Sequence, residues 1–359
     1  MNASRRVIAH LDIDAFYASV ELQRHPEARG RPLVVAGTGP RSVVTTASYE
    51  ARRYGIDSAM PAARARALCP DAIFIAPDFA AYRAKSREVW DIVRAAFETV
   101  GQAGIDEAYL DVSSLDRPLP ALRELVVAVR ERTALQISVG VGPSRLVAKT
   151  ASSAFKPAAF VAMGREQAAA HFAGHAVRLL QGVGPKTAER LAGVGVETVG
   201  DLQSANPTLL ARHFGERQAL ALHARAHFHD DSPVETSRVA KSRSSELTFP
   251  ADVSDQARLE QTLVELALEL GDGLRTRQRR ARTIAVKVRL DDWTTVTRAR
   301  TLPYFTDESA TIAATALELL RAYAPPRPVR LLGVRVASFD DESKGAPAGS
   351  KSSQLALHL

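Results

Sequence analysis

The chain has 359 residues, too many for one compact core and enough for two to four domains of roughly 100 to 150 residues each. Its 47 Lys and Arg against 40 Asp and Glu give a formal charge of +7, which favours a polyanionic partner such as nucleic acid over an acidic substrate or a neutral surface. No run approaches the roughly 20 apolar residues of a membrane span, the basic N-terminus leads into an apolar run broken at His10 and Asp12 rather than a signal peptide, and the single Cys69, which reads as a packed thiol, excludes an internal disulfide; a reducing, cytoplasmic setting is expected.

In chain order, 7–13 reads as a buried strand and 15–23 as the helix beyond it, with Asp12 and Asp14 at the junction. The β-branched runs 33–37 and 43–46 predict strands, followed by helical segments over 49–54 and 62–69, together a small mixed subdomain. A long helix over 79–97 carries Trp90, Val93 and Phe97 at helical spacing, a core face. Asp106 and Glu107 stand at the start of a strand over 108–112, and a helix over 119–132 separates it from a strand over 137–141. Strands and covering helices make an α+β layer.

Beyond Val161 the pattern becomes short helices broken by glycine. Residues 177–191 have the form helix, Gly-rich hairpin, helix, in which Gly182 and Gly184 permit a tight turn presenting backbone N–H groups at a helix N-terminus; Lys186 adds charge. Such a turn attracts a phosphate without reading bases, or is an αα-hairpin with no ligand. The polar stretch 232–245 reads as a linker. After it, Leu259, Leu263, Leu266, Leu270 and Leu274 form a helix stripe, and 282–290 alternates, with Ile284, Val286, Val288 and Leu290 facing one way and Thr283, Ala285, Lys287 and Arg289 the other. Arg275, Arg277, Arg279 and Arg280 crowd the preceding turn, and Arg298 and Arg300 occupy the next strand. The polar face lies on phosphates or is simply solvated. The excess of Arg over Lys suits bidentate phosphate contacts or reflects a GC-rich genome. A helix over 312–323 and a strand over 331–337 complete a small α/β unit. From Phe339 the chain turns Asp-, Ser-, Gly- and Pro-rich and ends in Gln354-Leu355-Ala356-Leu357-His358-Leu359, whose apolar residues have no core to join; a partner's groove is one destination, an incidental tail the other.

Carboxylates at the edge of apolar runs cost several kcal/mol to desolvate unless a cation or hydrogen bonds compensate, so strands that bring the two acidic clusters together argue for a divalent metal site. Each cluster alone is also what a turn or helix cap looks like. The surrounding text, however, resembles a family. Asp12-Ile13-Asp14-Ala15-Phe16-Tyr17-Ala18-Ser19-Val20-Glu21, Ala47-Ser48-Tyr49-Glu50-Ala51-Arg52, Ser58-Ala59-Met60-Pro61 and Ile105-Asp106-Glu107-Ala108-Tyr109-Leu110-Asp111 are similar, in order and spacing, to the Y-family DNA polymerases, with the bacterial polymerase IV branch the nearest.

The resemblance implies an α+β multidomain, right-hand-like polymerase. Its palm would take 1–17 and 77–165, fingers 18–76, a helix-hairpin-helix thumb 166–231, a linker 232–243, a DNA-binding little finger 244–340 and a tail 341–359. It implies two Mg²⁺ ions, for which Mn²⁺ can substitute, held by Asp12, Asp106, Glu107 and the Ile13 carbonyl, these three acids being the catalytic set, with Asp14 and Asp111 in support. Nucleotide contacts would come from Phe16, Tyr17, Thr46, Tyr49, Arg52 and Lys156. Tyr17 would be the steric gate against ribose, although Phe16 and Tyr17 alone read as core aromatics. DNA contacts would come from Gly182, Gly184, Lys186, Arg243, Arg282, Lys287, Arg289, Arg298 and Arg300. Gln354, Leu355, Leu357 and Leu359 would bind a sliding clamp. Primer-template DNA and deoxynucleoside triphosphates are the implied partners, with no membrane, of a nucleoid-associated monomer acting in low-fidelity translesion synthesis.

The departures from the family pattern are Gly104 for a frequent Ser, Ser48 for Asn, and Ala158-Ala159 for Asn-Gly, the last placing the loop around Lys156 in question. Two rivals remain. Asp12-Ile13-Asp14 also resembles the nucleophile motif of haloacid-dehalogenase-type phosphatases, but Phe16 stands where that family wants a small or β-branched residue, and Asp291-Asp292 is in the wrong context for its paired acids. A DNA-binding scaffold without catalysis is the other, against which the intact acidic set speaks.

Overall fold

A computed structural model of the chain describes residues 6–237 and 239–340. Contacts divide the described residues into two units, one built from 6–38 and 42–237 and the other from 239–340 with 39–41. The elements of the first unit are β1 (Ile8–Ile13), α1 (Phe16–Arg24), β2 (Leu33–Ala36), β3 (Val44–Ala47), α2 (Tyr49–Arg52), α3 (Ala62–Leu68), β4 (Ile73–Ile75), α4 (Phe79–Ala96), β5 (Val100–Gln102), β6 (Glu107–Asp111), α5 (Pro118–Thr133), β7 (Ile137–Gly142), α6 (Arg145–Ala154), β8 (Phe160–Ala162), α7 (Arg165–His171), α8 (Pro185–Ala192), α9 (Val199–Ser204), α10 (Pro207–Phe214) and α11 (Glu216–Ala226).

A five-stranded sheet in the order β5-β6-β1-β7-β8 forms the platform, antiparallel except where β7 meets β8. Its central strand β1 is buried along its whole length. Because side chains alternate, Ala9, Leu11 and Ile13 join Ala108 and Leu110 of β6 and Val139 and Val141 of β7 in a core closed by Val89, Trp90 and Val93 of α4 and Leu122, Leu125 and Val129 of α5. Ile8, His10 and Asp12 therefore share the other face with Glu107 and Tyr109, where α6 lies: Ile8 and Tyr109 pack on its Ala148. On that face β7 contributes Ser138, Gly140 and Gly142, and their small size is what admits the helix. A Cβ at Gly140 would stand 2.0 Å from the Ala148 carbonyl oxygen and 2.5 Å from the Ser152 nitrogen.

Backbone against backbone cannot be relieved by a rotamer change, so Gly140→Ala is expected to destabilise this unit by about 3 kcal/mol or more. Urea unfolding would measure it; a midpoint equal to that of the wild type would show that α6 does not need the glycine.

A second, three-stranded sheet, β3-β2-β4, packs with α2 and α3 around Val34, Val44, Ile56 and Ala65. The short helices α7 to α11 enclose their own core of Phe172, Leu191, Val199, Leu210, Leu222 and Phe228.

The other unit holds β9 (Ser242–Val253), α12 (Gln256–Arg275), β10 (Ala281–Leu290), β11 (Thr295–Thr306), α13 (Ser309–Tyr323) and β12 (Val329–Phe339), with strand order β11-β10-β12-β9, all pairs antiparallel. Its core joins the expected Leu stripe of α12 to Ile284, Val286, Val288 and Leu290. The sequence-based linker reading of 232–245 gives way at Ser242, where β9 begins. This strand reads as polar because it is an edge strand, with only Phe249 and Val253 buried, and its pairing comes from β12 rather than from its own pattern. Among the described residues, no helix is long and apolar enough to cross a membrane.

Candidate active site

Strand pairing brings the two acidic clusters together. Asp12 lies directly opposite Glu107 in the β1–β6 register, His10 opposite Tyr109, and the Ile13 amide donates to the Asp106 carbonyl at 2.9 Å. The turn carrying Asp106 is tied to α4, since Ser86 Oγ and Trp90 Nε1 both donate to the Ile105 carbonyl, the latter at 2.9 Å. Gly104 suits that turn: a Cβ there would press on Glu107 Cγ at 3.2 Å and Asp106 Oδ1 at 3.3 Å. Ligand atoms of His10, Asp12 and Glu107 lie within 4.8 Å of one another. Asp106 stands outside that tight group and meets Asp12 instead across a neighbouring cleft.

The two adjacent acids differ in environment. Burial and the negative charge of Asp12 push the Asp106 carboxyl above its ordinary range. The Glu107 carboxyl is held down at about 2 by its contact with His10 and by the Lys149 ammonium, which bonds its Oε2. His10 is fully buried, its Nδ1 2.7 Å from Ser152 Oγ and its Nε2 3.6 Å from Glu107, and burial lowers its pKa.

Asp14, 4 % exposed, is the hub of a second set. Its Oδ1 accepts from Ser138 Oγ at 2.8 Å and from the Tyr49 hydroxyl at 3.3 Å, and its Oδ2 from the Ala158 amide at 2.7 Å. Those bonds give Asp14 a structural task. Ala158 has φ +55°, a conformation that favours Gly or Asn over Ala, yet the loop still delivers Lys156, whose ammonium bonds Asp12 and lies 3.9 Å from Asp14. Ser48 keeps the capping role open to Asn, accepting from the Ala51 and Leu33 amides at 3.3 and 3.1 Å. From α2, Tyr49 turns its hydroxyl to Asp14, while Arg52 lies over the Tyr49 ring at 4.9 Å and donates to the Ala47 carbonyl at 3.1 Å. Tyr49 does not line the cleft; Arg52 does.

The cleft measures about 170 Å³ and is walled by Asp12, Ile13, Tyr17, Thr46, Arg52, Asp106 and Lys156, together with Ala15, Phe16, Thr45 and Ser58. The Tyr17 ring stacks on Tyr82 at 4.4 Å with 20° between the planes, and Phe79 meets it edge-on at 6.0 Å. Phe16, 3 % exposed, is chiefly a core residue. As a cation site the donors fit: the carboxylates of Asp12 and Asp106 converge as hard oxygen donors on one small cavity that Ile13 also lines, and the repulsion from Asp12, which adds to burial in raising Asp106, is what a divalent cation relieves.

At the hairpin, Gly182 has φ +89° and Gly184 caps α8; both are exposed, as is Lys186. In the sheet of the other unit the expected basic residues divide between two faces, correcting the single basic surface read from the sequence. Lys287 and Arg289 are on the open face, Lys287 paired with Glu246 at 2.7 Å and Arg289 donating to Thr295 Oγ1 at 2.9 Å. Arg298, Arg300 and Arg243 pair across the ladders with Val286, Ile284 and Val336, so they leave the sheet on the helix side, where Arg300 bonds Glu318 and Arg298 covers the Tyr323 ring at 5.3 Å. Arg282 lies over Phe305 at 5.5 Å. Strand register decides this, and a period-2 pattern on one strand does not fix the face of its neighbour. Gln354, Leu355, Leu357 and Leu359 lie outside the described residues.

Sequence reasoning missed His10, Lys149, Ser138, Thr45 and the open-face Arg335, which sits opposite Ala285. His10 had a signal, a polar residue two positions from Asp12 within a buried run.

Residues 11–153 match the model of the impB/mucB/samB family, 240–355 match that family's C-terminal domain, and 178–227 match the thumb domain described as DNA polymerase-iota. The chain is 40 % identical to DNA polymerase IV of Methanoculleus marisnigri, with 95 % of this chain and 96 % of that protein covered. It is 38 % identical to DNA polymerase IV of Xanthomonas euvesicatoria, covering 98 % and 99 %. Among solved structures it is similar to a Y-family DNA polymerase chimera, with a TM-score of 0.82 at 25 % identity over 92 % of this chain and 98 % of that one.

Proposed function

The chain belongs to the impB/mucB/samB family of Y-family DNA polymerases and is a DNA-directed DNA polymerase, and on that footing we propose that it performs translesion synthesis by a two-metal mechanism in the cleft at Asp12 and Asp106. The primer 3′-oxygen attacks the α-phosphorus of a deoxynucleoside triphosphate, the bond to the β-phosphate's bridging oxygen breaks, and pyrophosphate leaves. Mg²⁺ ions, for which Mn²⁺ substitutes, would be held by Asp12, Asp106, Glu107 and the Ile13 carbonyl and would supply a lowered hydroxyl pKa and charge neutralisation.

The other roles belong to the chain's own side chains. Arg52 and Lys156 face the triphosphate, Arg52 aimed by its stack on Tyr49 and its bond to the Ala47 carbonyl. Tyr17 forms the floor under the sugar. Gly182, Gly184 and Lys186 receive the strand backbone at the N-terminus of α8, and Lys287 and Arg289 meet the duplex. The single observation that carries the reading is the shared cleft, which draws Asp12, Thr46, Arg52, Asp106 and Lys156 from five separate parts of the chain to one wall with Tyr17. Thr45, Thr46 and Ser58 present small side chains to it, which supports tolerance of a misshapen base.

Primer extension tests this, on intact and lesion-bearing templates, with each deoxynucleotide offered singly and with a loaded sliding clamp present or absent. Insertion opposite the lesion is expected, and a complete stall there would remove the translesion role. In the same assay the chain ending at Ser353 should lose clamp stimulation while keeping unstimulated synthesis; equal stimulation of both chains would reject the tail as a clamp ligand.

A further inference from the structure

The hairpin between β10 and β11 breaks the local rule for its turn. The Trp293 amide donates to the Leu290 carbonyl at 3.1 Å, and the ladder restarts where the Leu290 amide donates to the Thr294 carbonyl at 2.9 Å, so Trp293 is the residue that closes a tight turn. It has φ +69°, a conformation that such hairpins give to Gly or Asn and that crowds a bulky side chain. No burial offsets this strain: Trp293 is 62 % exposed, whereas the other tryptophan, Trp90, is 1 % exposed. Two cations hold the ring from outside, the Arg330 guanidinium over it at 4.2 Å and that of Arg289 at 5.7 Å. The hairpin's own acids do not compete for them, since Asp291 and Asp292 both face Arg327, at 2.7 and 3.5 Å. Arg289 stands on the open face of the sheet, where the register also places Lys287 and Arg335.

We propose that Trp293 is a stacking platform for one unpaired base of the template strand, with Arg289 and Arg330 taking the phosphates that flank that base. The inference rests on the polymerase reading above and goes beyond backbone contact, because it assigns a protein ring to the face of a base. Inside a duplex both faces of a base are already stacked, so only an unpaired base has a face to offer. Every base has such a face, which makes the contact indifferent to sequence. A ring rimmed by guanidinium groups suits a ligand that is aromatic in the middle and anionic at its edges. An apolar protein partner would leave those two cations desolvated and unpaired. The strained turn is then the means of holding the ring out of the sheet, where a strand can reach it.

The residue is its own reporter, since the chain has 2 tryptophans and the other is buried. Tryptophan emission of the full chain is followed while it is titrated with a primer–template duplex whose template carries a thymidine overhang, the same overhang built of abasic units, or no overhang. The thymidine overhang should quench the exposed tryptophan and bind about 5- to 20-fold more tightly than the abasic one. Trp293→Gly, followed by anisotropy of labelled DNA, should lose that difference, Trp293→Phe should keep most of it, and the blunt duplex should bind all three chains alike. Melting separates binding from folding: glycine relieves the positive φ, so Trp293→Gly should melt no lower than wild type. Equal affinity of the wild type for thymidine and abasic overhangs overturns the proposal, and so does a Trp293→Gly chain that keeps the difference. A markedly lower melting point for that variant also overturns it, because the ring would then serve the fold. The polymerase reading fails on a separate result, extension of primers by Asp106→Ala.

Discussion

Asp106→Ala is expected to reduce primer extension by about 10³-fold or more while leaving duplex affinity within a few-fold of wild type. Asp106 lines the cleft with Asp12 and forms no ion pair among the described residues, whereas Asp12 is bonded to Lys156 and Glu107 to Lys149. The three acids are thus not equivalent, and among the described residues Asp106 is the one to which no cation is bonded, Lys156 acting on it only from a distance. The sign of its pKa shift gives a second readout. Its folded pKa lies above the unfolded one, so the folded state binds the proton more tightly, and the contribution of Asp106 to stability falls as pH rises through and above the ordinary carboxylate range. Asp106→Asn should therefore be at least as stable as wild type at neutral pH, with the gain vanishing in acid, although it is as inactive as the alanine variant. Glu107 runs the other way: held at about 2, it supports the fold above the ordinary range and loses that support as pH falls toward 2, so Glu107→Gln should destabilise at neutral pH. Steady-state extension with thermal melts from pH 3 to pH 8 would check both. An Asp106→Ala chain that still extends primers would rule out catalysis through this cleft, and a marked loss of stability at neutral pH would mean that Asp106 serves the fold rather than the reaction.

That division of labour between function and fold also decides which parts were legible in the sequence. β1 announces itself because a short apolar run broken only at His10 and Asp12 fits a buried strand and little else, and α12 and β10 because their periods are unmixed. β9 was hidden because an edge strand with one solvated face looks like a linker. The candidate site was legible in its acids, in the blocks around Tyr17 and Arg52, and at Lys156. The residues that set the electrostatics of those acids come from elsewhere: Lys149 from the face of α6, and Ser138 from a strand whose neighbouring glycines signal close packing without saying what packs. Nor does one strand's alternation reveal that Arg298 and Arg300 leave the sheet on the helix side.

Tyr17→Ala should lower discrimination against ribonucleotides by about 10²-fold, because the selectivity asked of this residue is steric and packing an extra hydroxyl against a fixed ring is worth about 1 to 3 kcal/mol. What makes the ring fixed is visible in its surroundings. Tyr17 is stacked on Tyr82, and the Tyr82 hydroxyl donates to Glu21 Oε1 at 2.6 Å. Glu21 is fully buried and pairs with Arg24 at 3.1 Å. With Phe79 against the edge of Tyr17, the ring has little freedom to swing clear of a 2′-hydroxyl. The hydroxyl of Tyr17 itself has no part in this selection, so Tyr17→Phe should keep wild-type selectivity, and the two variants together separate ring volume from hydrogen bonding. Single-insertion kcat/KM for paired ribo- and deoxynucleotides gives the ratio directly; the deoxynucleotide value of Tyr17→Ala should fall less than tenfold, since the acids and Arg52 are untouched. An unchanged ratio in Tyr17→Ala would show that the sugar lies elsewhere, and would leave Tyr17 as one more aromatic in the stack on Tyr82.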